Sequence, residues 1–418
     1  MAAVSGDVRG APARGRAAGF SDWLPGAAGR RRDLADAFVS TFESWGYELV
    51  ATPLVEPLDT VAAGLGAQGQ ARLFRFMDAD GSMLALVGER TVSVARVVAT
   101  QLQRASPPLR LCYSGPVLRH GALLDGRRRE ALQAGCELVG HAGLAADAEC
   151  IALAAAALIR GGVEGVQIDV GHADFIPAVL DSAGLDASSR RDVLDALQRR
   201  DLVAVEAALE NTDVGEAERR LLLAFPTLRG GRDLLDTAAV DLTGERPRAV
   251  LAQLASLWEL LEGHGVTDVV HLDLGAVRDW DYYTGPTFEV FSLDSGFPLG
   301  TGGRYDRLLA RFGAPLPATG FVLHVDRCHD ALERREAPAA SASLRVGWSQ
   351  GGHPDALRLT ALLRRRGVRA ACDLEPADEE APGMTAYVTG EGASWRAADG
   401  PGQGSIEAAA LALTAAAP

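Results

Sequence analysis

The chain has 418 residues, 48% of them hydrophobic and 23% charged, with a formal net charge of −14, which is ordinary for a globular protein with one large domain and a smaller one. The acidic balance argues against broad nucleic-acid binding, because phosphate contacts need a clustered cationic face, and no apolar run reaches the length of a membrane span. The five cysteines (Cys112, Cys136, Cys150, Cys328 and Cys372) form no CxxC pair and have no histidines at zinc spacing, so neither a disulfide framework nor a zinc site is indicated; there is no lysine at all, which excludes a Walker lysine and a Schiff-base lysine.

Residues 1–18 are rich in Ala, Gly and Arg without the apolar block of a signal peptide, and are expected to form a flexible tail on a cytoplasmic protein. Arg30 to Trp45 carries Leu34, Ala37, Phe38 and Phe42 at helical spacing and ends at Gly46. A strand is expected from Glu48 to Pro53, a β-hairpin between Leu73 and Val87 around Asp78-Ala79-Asp80-Gly81, and a helix from Thr91 to Leu102. Arg110 to Leu118 and Glu130 to Gly140 read as two strands joined by an arginine-rich loop, Ala145 to Ile159 as an apolar helix, and Val166 to Val170 as a strand.

From about 177 to 263 the pattern is almost wholly helical; strands return at Val269 to Leu274, Thr287 to Ser292 and Phe321 to Leu323, with a helix from Asp326 to Glu333. Residues 336–343 are a small-residue linker, and 344–418 hold a strand, a helix, a second strand and an apolar run at Ala386 to Val388. The order predicts an α+β core over 19–335 with a helical insertion at about 177–263, then a small α/β domain.

Several strings carry chemistry. Arg278-Asp279-Trp280-Asp281-Tyr282-Tyr283-Thr284-Gly285, then Gly302-Gly303-Arg304-Tyr305-Asp306 and Gly320-Phe321, resemble the histidine-binding signature of histidyl-tRNA synthetases. Gly46-Tyr47-Glu48 through Thr52-Pro53-Leu54-Val55-Glu56, Tyr113 to Arg119 through Gly126 to Arg129 and on to Gln133 and Glu137, and Gly320 to Arg327 resemble the three class II synthetase motifs in order. The resemblance implies a class II synthetase-like antiparallel sheet flanked by helices, self-dimerisation through the first motif, and a C-terminal domain like a degenerate anticodon-binding module.

By position it also implies a histidine pocket: Glu89, Thr91 and Gln133 for the ammonium, Arg278 for the carboxylate, and Glu137 with Tyr283 for the imidazole, beside Tyr282. Those residue types suit a zwitterion with a two-nitrogen ring. The ATP side departs from the synthetases: Gly121 replaces a glutamate, Ala122, Leu123 and Leu124 replace polar residues, and His324 stands where a glycine admits the nucleotide. Arg119 and Arg327 persist. The stretch Glu375 to Pro382 is acidic and broken by prolines where an anticodon-reading domain is basic.

A pocket without its catalyst resembles the regulatory subunits of ATP phosphoribosyltransferase, synthetase paralogues of histidine biosynthesis. That resemblance implies a non-catalytic chain with no cofactor or metal, binding L-histidine as a feedback signal and partnering a short-form catalytic subunit in a hetero-oligomer, a hetero-octamer in that family. The alternative it leaves open is a divergent histidyl-tRNA synthetase.

Overall fold

The computed structural model describes residues 15–121, 128–199, 201–210, 212–275, 282–335, 343–349, 351–397 and 400–415. They divide into two compact units, 1–337 and 338–418.

The first unit opens with α1 (Ala27–Ser44), whose Leu34, Ala35, Phe38, Thr41 and Phe42 form one buried stripe. β1 (Glu48–Leu49) joins the main sheet; β2 (Val55–Pro57), β3 (Arg75–Met77) and β4 (Met83–Leu86) form a separate three-stranded sheet in the order β2-β4-β3. The single strand expected from Glu48 to Pro53 is therefore two strands in two sheets: after Val50 donates to Cys112 O at 2.8 Å, Pro53 has no N–H to continue the ladder, and the chain crosses over. α2 (Leu58–Gly64), α3 (Ala67–Ala71) and α4 (Arg90–Thr100) flank the small sheet in sequence.

β5 (Leu109–Leu118) and β6 (Glu130–Val139) are ten-residue antiparallel strands. α5 (Leu144–Arg160), alanine-rich and mostly buried, packs on α1 and is followed by β7 (Val166–His172). Next come α6 (Phe175–Ser182), α7 (Ala187–Gln198), α8 (Leu202–Leu209), α9 (Glu216–Ala224), the short β8 (Arg229–Gly230), α10 (Asp233–Ala239) and α11 (Glu245–His264). Gly265, at φ +70°, ends α11 in the left-handed conformation that glycine adopts without a Cβ penalty. β9 (Val270–Asp273), β10 (Pro286–Ser292), β11 (Gly300–Arg304), β12 (Ala318–His324) and α12 (Val325–Arg335) complete the unit.

The main sheet has nine strands in the order β1-β5-β6-β12-β11-β10-β7-β9-β8, antiparallel except for β1 with β5 and β7 with β9. Its centre, β6-β12-β11-β10, was legible except for β11. Gly300-Thr301-Gly302-Gly303 has almost no β propensity, yet a Cβ at Gly300 would lie 2.7 Å from Val322 O, so the close strand approach itself calls for glycine.

The second unit contains β13 (Leu344–Trp348), α13 (His353–Arg365), β14 (Ala370–Cys372), β15 (Ala386–Thr389), β16 (Gly392–Ala397), β17 (Gly400–Gly404) and α14 (Ile406–Ala415). Its sheet runs β14-β13-β15-β16-β17 over a core that includes Val346, Leu359, Val388 and Leu413. The last two strands and α14 extend the unit beyond the elements read from sequence.

Candidate functional site

The site is built on the middle of the main sheet and the start of α4. Glu137 on β6 is 1% exposed and registers with Gly320 on β12. A Cβ at Gly320 would overlap the Glu137 carboxylate and the Cys136 carbonyl oxygen, so glycine there makes the space in which the acid sits. The Tyr113 hydroxyl donates to Glu137 Oε1 at 3.3 Å, and the Tyr305 hydroxyl donates to Oε2. Burial pushes the Glu137 carboxyl up to about 8, against the lowering effect of hydrogen bonds from Tyr305 and Thr91, while Glu89 adds a further upward push.

Glu89 precedes α4 in extended backbone and does not cap the helix with its side chain. The Tyr282 hydroxyl donates to its Oε1, while Oε2 is buried without a hydrogen-bond donor among the described residues. Burial raises the Glu89 carboxyl, offset by the nearby Arg119 guanidinium and the Tyr282 bond. Arg119, held through Nε to Gly88 O at 2.6 Å, is itself lowered by burial. Tyr282 meets Tyr283 and Tyr305 edge-on, with ring centroids 4.9 and 5.9 Å apart.

These groups surround a cavity of about 160 Å³ lined by Glu89, Thr91, Tyr282, Tyr283, Tyr305 and Gly320, among others. Glu89, Glu289 and three phenols share the lining with Arg72, Arg119 and Arg327, a mixed set suited to a small ligand that carries both cationic and anionic groups. Of the residues singled out from sequence, Glu89, Thr91, Tyr282 and Tyr283 line this space, and Glu137 lies behind Tyr305. Gln133 does not line it: on β6 opposite His324, it lines a neighbouring cavity of about 420 Å³, its Nε2 3.5 Å from His324 Nδ1. Arg278 lies outside the described residues.

His324 is buried and lines both cavities, as do Arg119 and Arg327. Arg327 donates to Pro298 O at 2.6 Å and lies over the Phe297 ring.

Three contributors received no role from sequence alone: Tyr113, Tyr305 and Arg304. Arg304 is 4% exposed and donates to Asp147 Oδ2 at 3.0 and 2.7 Å, His141 O at 3.1 Å, Gly143 O at 3.1 Å and Asp306 Oδ1 at 3.2 Å. Its own carbonyl accepts from Thr284 N at 2.8 Å, and Asp306 N donates to Thr284 Oγ1 at 3.0 Å. Arg304 thus ties the segments carrying Tyr282, Tyr283 and Tyr305 to the start of α5. The only hint in the sequence was its place beside Tyr305 in Gly302-Gly303-Arg304-Tyr305-Asp306. All five cysteines are free, and no group of metal-ligating residues occurs among the described residues.

Residues 19–328 match the family model described as histidyl-tRNA synthetase. The histidyl-tRNA synthetase of Nostoc shares the fold, with a TM-score of 0.78 at 18% identity, covering 95% of this chain and 98% of that one. Family match and fold together define a histidyl-tRNA-synthetase-like protein of class II architecture.

Within that class, the chain belongs to the family of ATP phosphoribosyltransferase regulatory subunits. It is 39% identical over 359 residues to the protein of that name from Geobacter sulfurreducens, covering 85% of this chain and 82% of the relative. The one from Moorella thermoacetica is 39% identical over 380 residues, covering 90% and 97%. A crystal structure from Bacillus halodurans, described as an ATP phosphoribosyltransferase regulatory subunit/histidyl-tRNA synthetase, superposes with a TM-score of 0.79 at 29% identity, covering 89% of this chain and 97% of that one. Among the described residues no helix is long and apolar enough to cross a membrane.

Proposed function

We propose that this chain is the histidine-sensing, non-catalytic subunit of a cytoplasmic ATP phosphoribosyltransferase, acting on a short-form catalytic subunit within a hetero-oligomer built on its own dimer. The observation that carries the sensing role is the cavity of about 160 Å³ in which a buried Glu89 oxygen has no hydrogen-bond donor among the described residues. An unsatisfied buried acceptor costs roughly 1–3 kcal/mol, which an incoming ammonium group relieves. Glu137, fixed by two tyrosines behind the cavity wall, offers the second acid for an imidazole, and Tyr283 lines the cavity itself.

Feedback then needs no chemistry in this chain. If histidine prefers one conformation of the complex, it draws the equilibrium toward it, and a coupling of about 1–3 kcal/mol changes partner activity or affinity roughly 5- to 150-fold. The test is calorimetric titration of the purified chain with L-histidine, followed by a phosphoribosyl-transfer assay with the short catalytic subunit at increasing histidine. Saturable binding and parallel inhibition are expected. Histidine binding together with histidine-dependent ATP consumption by this chain alone would establish a synthetase-type activity instead.

A further inference from the structure

The sheet of the second unit ends at β14 on one side and β17 on the other. β14 pairs with β13 alone, in parallel, with Ala370 opposite Leu344, Ala371 opposite Arg345 and Cys372 opposite Val346. Leu344 N donates to Arg369 O at 2.8 Å, and Asp373 N donates to Val346 O at 2.9 Å. In a parallel ladder alternate residues turn their backbone groups toward the neighbouring strand, so those of Ala370 and Cys372 turn the other way. Ala370 O, facing out, accepts from Arg364 Nε at 2.9 Å. The Ala370 N–H and both backbone groups of Cys372 have no partner among the described residues.

Opposite charges flank this edge. Before it, α13 closes on Arg364, Arg365 and Arg366, and Arg369 follows, all four exposed. After it come Asp373, which binds Arg345 at 2.7 Å, and the exposed Glu375, Asp378, Glu379 and Glu380. Leu374, just past the strand, is 94% exposed. Edges are commonly guarded by shortness and by charge, and β14 is short, but a guard of opposite sign at its two ends is selective. A copy added in parallel brings like charges together, whereas one added antiparallel brings the arginine end of each strand to the acidic end of the other.

We propose that β14 is a self-pairing edge, to which a second copy of this chain adds its own β14 antiparallel across a two-fold axis, joining the two small sheets into one. The outward groups set the register: Ala370 of each copy exchanges bonds with Cys372 of the other, about four backbone bonds in all. Ala370 O has a second lone pair for this beside Arg364. Ala371 then faces its own counterpart in a non-hydrogen-bonded pair. Its exposed side chain lies on the face opposite Ala370, which belongs to the core under α13. Leu374 of each copy is covered by the start of the other's strand. Such a contact falls below the ~1,000 Å² of a stable interface, so it forms where copies are already held close, at high effective concentration. The proposal uses nothing of the histidine reading.

The experiment is covalent capture. The full chain carrying Ala371→Cys and Cys372→Ser, its other four cysteines being buried, is oxidised with diamide and run on a denaturing gel without reductant. Paired Ala371 Cα atoms lie about 4.5 Å apart in this register, within the roughly 4.4–6.8 Å that a disulfide spans, so a linked dimer is expected. Glu375→Cys in the same Cys372→Ser chain places its two copies ~27 Å apart and should link at least about tenfold more slowly. Arg366→Glu or Glu375→Arg, each added to the Ala371→Cys chain, sets like charges together at both ends and should cut capture about tenfold at low salt. Mixing those two variants puts opposite charges together again at both ends and should return the captured fraction to within about twofold of the Ala371→Cys chain, a rescue that misfolding cannot give. Ala371→Cys linking no faster than Glu375→Cys, charge reversals without effect, or reversals that mixing does not rescue overturn the proposal. Capture suppressed by an equal concentration of the short catalytic subunit assigns the edge to that partner and overturns it too.

Discussion

Replacing Glu137 with Gln separates what the buried acid does for a ligand from what it does to the fold. The carboxyl is held at about 8, mainly by burial, whereas an unfolded glutamate titrates near its ordinary value of about 4.3. Between those two values the folded state holds a proton that the unfolded state has released, so folding stability falls as pH rises through the window, by up to ~1.4 kcal/mol per pH unit. Glutamine cannot ionise and lacks that slope. Its amide still accepts from one tyrosine, and the other hydroxyl can rotate to accept from its N–H₂.

The variant is therefore expected to match the parent near pH 5 and to be the more stable of the two near pH 8, as read by urea denaturation at both values. Its affinity for histidine, measured near pH 9 where the parent carboxyl is ionised, should nevertheless drop roughly 10- to 150-fold, since a hydrogen bond to a charged group contributes about 1.5–3 kcal/mol. A destabilised variant would blur the two effects, but one that is stabilised at alkaline pH and has lost its ligand would not. Parent-like histidine affinity in a folded Glu137→Gln chain would refute the assignment of Glu137 to the ligand, and an unchanged stability slope would refute the account of its burial.

Other substitutions follow from the same geometry. Gly320→Ala places a methyl group on the Glu137 carboxylate and the Cys136 carbonyl, and should cost about 1–3 kcal/mol of stability and abolish histidine binding in calorimetry. Tyr282→Phe removes the hydroxyl that donates to Glu89 Oε1, leaving both oxygens of that acid without a hydrogen-bond donor among the described residues; a loss of about 1–3 kcal/mol should appear in thermal denaturation and be partly recovered by added histidine. Arg304→Ala leaves Asp147 buried without its partner and should destabilise the fold by about 3–5 kcal/mol, measured by urea denaturation.

Much of the fold was legible because long periodic segments speak for themselves. β5, β6, α1 and α5 carry apolar patterns over ten or more residues, enough to fix their type. β11 was hidden because its glycines are chosen by contact with the facing strands, which a linear pattern does not reveal. The same limit applied within the site. Glu89, Thr91, Glu137, Tyr282 and Tyr283 could be named from motif resemblance, but the roles of Tyr113 and Tyr305 depend on β5 and the end of β11 meeting over β6. Gln133 was grouped with the ammonium-binding residues by its place in the motif resemblance, four positions before Glu137. On a strand, that spacing puts both side chains on one face about 13 Å apart, so Gln133 reaches the neighbouring cavity while Glu137 sits behind Tyr305.

The way these side chains are anchored also says where a histidine signal would enter the rest of the molecule. Glu137 is on a central strand hydrogen-bonded on both sides, by β5 and by β12, and has little freedom to move. Tyr282, Tyr283 and Tyr305 instead sit on segments flanking β10 and β11, joined through Arg304 to one another and to the first turn of α5. A ligand that bridges the acids and the phenols would tighten the flanking segments and leave β6 nearly as it was. Amide hydrogen exchange should accordingly slow on histidine addition at residues 282–286 and 305–308 and at the start of α5, with little change along β6, whose ladder is already protected. Exchange that changes mainly in β6, or nowhere at saturating histidine, would show that Arg304 does not relay ligand binding to α5.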